Sequence, residues 1–249
     1  GLLVKVTKRL SNRVQFLVSY AFQKDVSDTN VLDNLHYTSS YGQNLAKQNL
    51  NVSGTVHLPW GFLLGVNSSI ISRSPVTALV SGLDLPGTAP SGSSEELPGL
   101  SYGCLAVGCS KSQLVAAVQN YNINYAGKPS AQGAASLNPG PLVVPPNYQF
   151  GDPIFSQDFN VQKTFDYKEK YHLTIRGEIF NAFNVSNLTY PSFTLDSLAA
   201  GCTLVNNAFS SCAGTPAQTY AFGQPTGRVG QTFGQGGARA IQVGARFTF

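Results

Sequence analysis

The amino-acid sequence predicts an all-β fold, a transmembrane antiparallel β-barrel, on three observations. Segments of about ten residues alternate apolar and polar side chains with period two. The connections between them alternate short and long. The composition is 42% hydrophobic yet only 11% charged, against about 25% charged in ordinary soluble domains. Gly, Ser, Asn, Gln and Thr take the place of the missing charge, beside 25 glycines, 11 tyrosines and 15 phenylalanines. Neutral polar residues suit a water-filled lumen, and aromatics suit a membrane interface. No apolar run approaches the ~18 residues of a transmembrane helix; Phe62–Val66 and Leu114–Val118 are about one strand long. A barrel needs no such run, because only alternate residues meet lipid.

Taken in order, Leu2–Arg9 and Arg13–Gln23 are predicted strands around a turn at Leu10-Ser11-Asn12. In the second, Val14, Phe16, Val18, Tyr20 and Phe22 point one way, and Gln15, Ser19 and Gln23 the other. Asn49–Leu58 sets Leu50, Val52, Val56 and Leu58 against Asn51, Ser53, Thr55 and His57. Pro59-Trp60-Gly61 turns the chain into Phe62–Arg73, with Phe62, Leu64, Val66 and Ile70 outward. Phe155–Phe165 and Tyr171–Asn181 form a hairpin across Asp166–Lys170. In the latter strand Tyr171, Leu173, Ile175, Gly177 and Ile179 face out, while His172, Thr174, Arg176 and Glu178 face in. The last segment, Ala238–Phe249, places Ile241, Val243, Ala245, Phe247 and Phe249 opposite Gln242, Gly244, Arg246 and Thr248.

Short turns near residues 10–12, 59–61 and 166–170 alternate with long connections over about 24–48, 74–154 and 182–237. Short periplasmic turns and long extracellular loops are the outer-membrane pattern, which puts the three long connections outside and the C-terminus in the periplasm. These connections are rich in Gly, Pro, Ser and Asn, and such lengths are uncommon in compact soluble domains. The four cysteines fall in them as two close pairs, Cys104 with Cys109 and Cys202 with Cys212. Neither pair has zinc spacing, and two local disulfides in an oxidising compartment are expected.

The candidates for chemistry are few. A net charge of +4 without blocks, densest at Lys5, Lys8, Arg9 and Arg13, argues against nucleic-acid binding. His57 and His172 fall on the polar face as lumen-facing hydrogen-bonding groups, as do Arg176, Glu178 and Arg246. Arg176 and Glu178 could form a register-holding ion pair or touch passing substrate. His36, near Asp28 and Asp33, is the one sketch of a hydrolytic or metal site, but the spacing places no nucleophile with it. Gly234-Gln235-Gly236-Gly237 opens a strand rather than the helix a phosphate loop requires. Tyr121, Tyr125, Tyr148 and Tyr220 suit ligand stacking, an interfacial girdle or loop packing equally. No catalytic residue, metal set or cofactor is expected.

The final eight residues, Gln242-Val243-Gly244-Ala245-Arg246-Phe247-Thr248-Phe249, resemble the assembly signal of bacterial outer-membrane barrels, with Gln242, Gly244, Phe247 and Phe249 as its marks. Arg176-Gly177-Glu178-Ile179-Phe180-Asn181-Ala182-Phe183-Asn184 resembles the R-x-E-x-F-N-x-F-N segment of the penultimate strand of TonB-dependent receptors, most of all the Oar-like subgroup with a carboxypeptidase-regulatory-like domain. Phe222–Gly227 followed by Ala238–Gly244 resembles the stretch leading into that family's closing strand, and Phe16–Lys24 is similar to its recurrent outgoing strand. The resemblance implies a plugged barrel of ~22 strands, of which this chain, residues 1–249, is the C-terminal portion with about seven or eight strands. It further implies uptake of a bulky, scarce nutrient, with outer-membrane lipid, the barrel-assembly machinery, the TonB energy complex through an N-terminal plug and an unknown extracellular ligand as partners. The start at Gly1 inside a strand, without methionine or signal peptide, favours a fragment. Alone in water such a fragment is expected not to fold stably, because it has two open edges. Two other functions fit the same residues: a passive porin or adhesin-type barrel, and an outer-membrane barrel hydrolase.

Overall fold

The computed structural model describes residues 1–28, 39–41, 46–85, 94–130, 137–168, 170–199, 201–205, 208–212, 220–230 and 236–249. In chain order the elements are β1 (Leu2–Ser11), β2 (Val14–Phe22), β3 (Val26–Asp28), β4 (Ser39–Tyr41), β5 (Gln48–His57), β6 (Phe62–Ile71), β7 (Leu79–Ser81), β8 (Ser94–Glu96), α1 (Lys111–Asn124), β9 (Ile154–Tyr167), β10 (Tyr171–Phe180), β11 (Thr194–Leu195), β12 (Cys202–Val205), β13 (Ala208–Cys212) and β14 (Ala240–Thr248). Seven long strands form one sheet in the order β1-β2-β5-β6-β9-β10-β14. Every neighbour is antiparallel. The sheet is an up-and-down meander, not closed on itself, with β1 and β14 at its edges.

Local chemistry sets the tight ends. Asn12 and Arg13 both take positive φ, 50° and 67°, as a two-residue hairpin compatible with strand twist requires. The turn thus falls at Asn12-Arg13, shifted toward the C-terminus from the predicted Leu10-Ser11-Asn12. Pro59–Gly61 forms a single 3₁₀ turn, with Trp60 at φ 61°. These turns and the Lys168–Lys170 connection lie at one end of the sheet; all long connections lie at the other.

The long connections are not structureless loops. The stretch predicted as loop 74–154 contains α1, β7 and β8, and packs with part of the stretch predicted as loop 182–237 into a cap with its own core. Parallel pairing of β11 with β7 joins the two connections. Leu83, Leu97, Leu105, Leu114, Val118, Tyr121, Leu142 and Phe222 are fully buried there. Leu114–Val118, of strand length in the sequence, is helical. Ser110 caps α1 through a reciprocal capping box with Gln113, which satisfies two backbone donors that a helix start leaves open. Leu114, Ala117, Val118 and Tyr121 then fall on one face at helical spacing and enter the core.

Candidate functional site

Cross-strand register determines which side chains share a face, because directly paired residues point the same way. One row runs Val4, Tyr20, Leu50, Ile70, Phe155; another runs Phe16, Gly54, Val66, Phe159, Ile179, Ile241. That face is mainly apolar from β1 to β14, with Lys8 beside Phe16 and with Ser68, Gln157 and Lys163 among its polar members. The opposite face runs Ser19, Asn51, Ser69, Ser156 in one row and Gln15, Thr55, Gly65, Asn160, Glu178, Gln242 in another. A contiguous apolar surface of this extent is unstable against water. Lipid on one side and water on the other satisfies both faces.

The apolar face is finished at the short-turn end by rings. Tyr171 stacks on Phe247 at 6.1 Å and 9°, and Phe247 lies 5.9 Å from Phe249. Tyr167 is 6.5 Å from Tyr171, and Trp60 stands exposed beside the turn it forms. The Lys163 ammonium sits 4.8 Å above Phe62 and 4.9 Å above Phe165, while Lys168 and Lys170 lie over Tyr167 and Tyr171. Amphipathic rings with snorkelling lysines mark the depth where hydrocarbon gives way to headgroups.

On the polar face the predicted lumen residues have local partners. His172 Nδ1 is 2.6 Å from Asp166 Oδ1 of its register partner. Arg176 Nη2 lies 2.5 Å from Glu178 Oε1 along the same strand. Arg246 pairs in register with Thr174, whose hydroxyl is 2.9 Å from that of Thr164. Asn51 bridges Asn49 and Ser69, each at 2.8 Å. The Asn160 amide lies over Gly65, leaving no room there for a Cβ. His57 ends β5 at the short-turn end and is exposed. Of the four residues that mark the terminal resemblance, Gln242 and Gly244 pair with Glu178 and Arg176 on the polar face, whereas Phe247 and Phe249 belong to the ring cluster.

Where wall meets cap, two asparagines do the holding. Asn181 (φ 44°) and Asn187 are fully buried. The Asn187 amide oxygen accepts from Phe155 N–H at 2.7 Å, and its NH₂ donates to Phe155 O at 3.0 Å and Gly236 O at 3.2 Å. Asn181 accepts from Val185 N–H at 3.0 Å and donates to Val185 O and Gly237 O at 2.9 and 2.7 Å, while its own N–H donates to Asp158 Oδ1 at 2.8 Å. Phe183 packs on Phe155 and Phe159, centroids 6.4 Å apart in each pair. The F-N-x-F-N stretch is thus a junction in which side-chain amides replace the backbone partners lost where β9 begins and β10 ends.

In the cap, Cys104 and Cys109 form a disulfide with Sγ–Sγ 2.00 Å, immediately before the α1 cap. Cys202 is disulfide-bonded and stands opposite Cys212 in the β12–β13 register. Tyr121, Tyr148 and Tyr220 are buried, so packing is their role. The Tyr121 hydroxyl donates to Pro139 O at 2.7 Å, and burial pushes its phenol up to about 12. Burial likewise raises Tyr148 and the Glu96 carboxyl above their ordinary values. Sequence patterning missed a cleft between the two connections, lined by Pro75, Thr77, Tyr102, Tyr190, Pro191 and Phe193; its parts lie far apart in the chain. His36 and Asp33, and Gly234-Gln235 of the glycine cluster, lie outside the described residues, as does the side chain of Asp28.

No curated protein and no solved structure matches the chain significantly. The profile of one family does match, across residues 1–242, which takes in six of the seven long strands whole and the first three residues of β14. With a lipid-compatible face, a polar face and ring-marked strand ends already built into the register, the chain belongs to the Outer membrane beta barrel domain family and resides in the bacterial outer membrane.

Proposed function

We propose that this chain supplies the wall, lumen lining and extracellular cap of a TonB-dependent outer-membrane transporter or receptor that takes up a bulky, scarce nutrient. The observation that carries the proposal is the cap: two connections fold on one another around a shared core and are joined by β7–β11 pairing. A diffusion pore needs only an opening, whereas a receptor needs a rigid outer surface to recognise its ligand. The open sheet supports the same reading. Unpaired backbone groups along β1 and β14 are costly in lipid, so further strands complete the wall. The polar face, made largely of neutral amides and hydroxyls, suits a lumen filled by a plug. In this reading the chain performs no catalytic step; assembly machinery, lipid and the energy complex acting on the plug are its partners.

The test uses the full-length protein, purified in detergent, with the periplasmic domain of the TonB energy protein. Saturable binding of that domain, together with little open-channel current in planar bilayers, is the expected result. A steady open conductance without binding would instead establish a passive porin.

A further inference from the structure

We propose that the cleft between the two outer connections is a preformed binding site for a neutral saccharide ring. The inference rests on the receptor reading and names the class of ligand recognised. The cleft has a volume of about 280 Å³, close to the ~300 Å³ lower bound of small-molecule pockets. Three rings, Tyr102, Tyr190 and Phe193, and two prolines, Pro75 and Pro191, supply flat apolar faces, and Thr77 adds a hydroxyl.

The rings are held in place without a ligand. Tyr190 donates to Ser74 Oγ at 3.0 Å, and its hydroxyl accepts from Ser74 N–H at 3.1 Å. Behind it runs Gly151 at φ 85°, where a Cβ would stand 3.0 Å from the ring. Phe193 meets buried Phe222 edge-on at 6.3 Å, and its carbonyl accepts from Leu79 N–H at 2.9 Å. Tyr102 is fixed from its neighbour, since Gly103 N–H donates to Thr77 Oγ1 at 2.9 Å and Cys104 carries the disulfide. Rings that are already ordered lose little entropy when a ligand arrives.

Charge selects the ligand. Among the described residues none that lines the cleft is charged, and the nearby carboxylate of Glu96 acts on Tyr102. A phosphate, carboxylate or anionic iron chelate would find no cation among the described lining residues and one repelling charge beside them. A pyranose offers a C–H face to aromatic rings and a hydroxyl edge to the hydrogen-bonded Thr77–Tyr102 hydroxyl pair and the cleft mouth, and it needs no counter-ion.

Calorimetric titration of the full-length protein with maltose, cellobiose and lactose, and with benzyl alcohol as an aromatic control, tests this. At least one disaccharide should bind saturably, with an affinity unchanged between low and high salt, because a neutral ligand is not screened. Tyr102→Ala should weaken it roughly tenfold, the equivalent of ~1.4 kcal/mol of ring contact. Tyr190→Phe, which keeps the ring but loses the tether to Ser74, should weaken it less. Heat-modifiable gel mobility confirms that each variant is folded. No disaccharide binding, binding of benzyl alcohol alone, or binding indifferent to Tyr102→Ala would overturn the assignment. Energy-protein binding is measured separately, so loss of the saccharide site leaves the receptor reading standing, and the reverse holds equally.

Discussion

Asn187 shows how much a single buried amide can hold. Its side chain serves both the N–H and the carbonyl of Phe155 and reaches Gly236 O as well. Alanine would strand these buried groups, each costing about 1–3 kcal/mol when unsatisfied. Asn187→Ala should therefore destabilise the junction by about 2–3 kcal/mol, read as faster hydrogen exchange at Phe155 while β1 and β2 stay protected. Tyr121 is the cap's counterpart. Its unfolded phenol titrates near 10 and its folded phenol at about 12. The folded state therefore keeps a proton that the unfolded state releases, and cap stability should hold below pH 10 and fall as pH rises toward 12. Tyr121→Phe should make that alkaline slope shallower, leaving the part that Tyr148 and the other buried phenols contribute, and costs about 1 kcal/mol at neutral pH through the lost bond to Pro139; circular dichroism across the pH range checks both. The F-N-x-F-N spacing was visible in the sequence as a resemblance. What it does was not, because Gly236 and Gly237 are contacted across about fifty residues of chain.

At the scale of elements, the strands were legible and the cap was not. A membrane strand declares itself through alternation, since lipid and water impose opposite demands on successive residues; Tyr171–Phe180 departs from its predicted bounds by one residue. The cap obeys no such local rule. Its core joins β7, α1, the segment around Leu142 and the segment around Phe222, so burial depends on contacts between remote stretches. One signal was present and passed over: Ser110-Lys111-Ser112-Gln113 has the spacing of a capping box before an apolar run. The Cys104–Cys109 bridge stands directly before that box. Closing so short a loop is worth about 2 kcal/mol. Reduction should accordingly raise hydrogen exchange in α1 and leave β9 and β10 unchanged; equal loosening of the strands would show that cap and wall are a single cooperative unit.

For the molecule as a whole, alternating short and long connections place every tight turn at one end and the cap at the other. Rings and lysines at the short-turn end fit the periplasmic interface of the proposed orientation, and the cap then faces outward. The central claim is that one face of this sheet meets lipid and the other meets the lumen. Nitroxide scanning along β10 of the full-length protein in outer-membrane vesicles tests it most directly, with labels at Leu173, Ile175 and Ile179 against Thr174, Arg176 and Glu178. Collision with oxygen should be high at the first set and low at the second, and collision with a water-soluble nickel complex should follow the opposite order, with period two along the strand. Equal accessibility at all six positions, or reversed phase, would contradict the account.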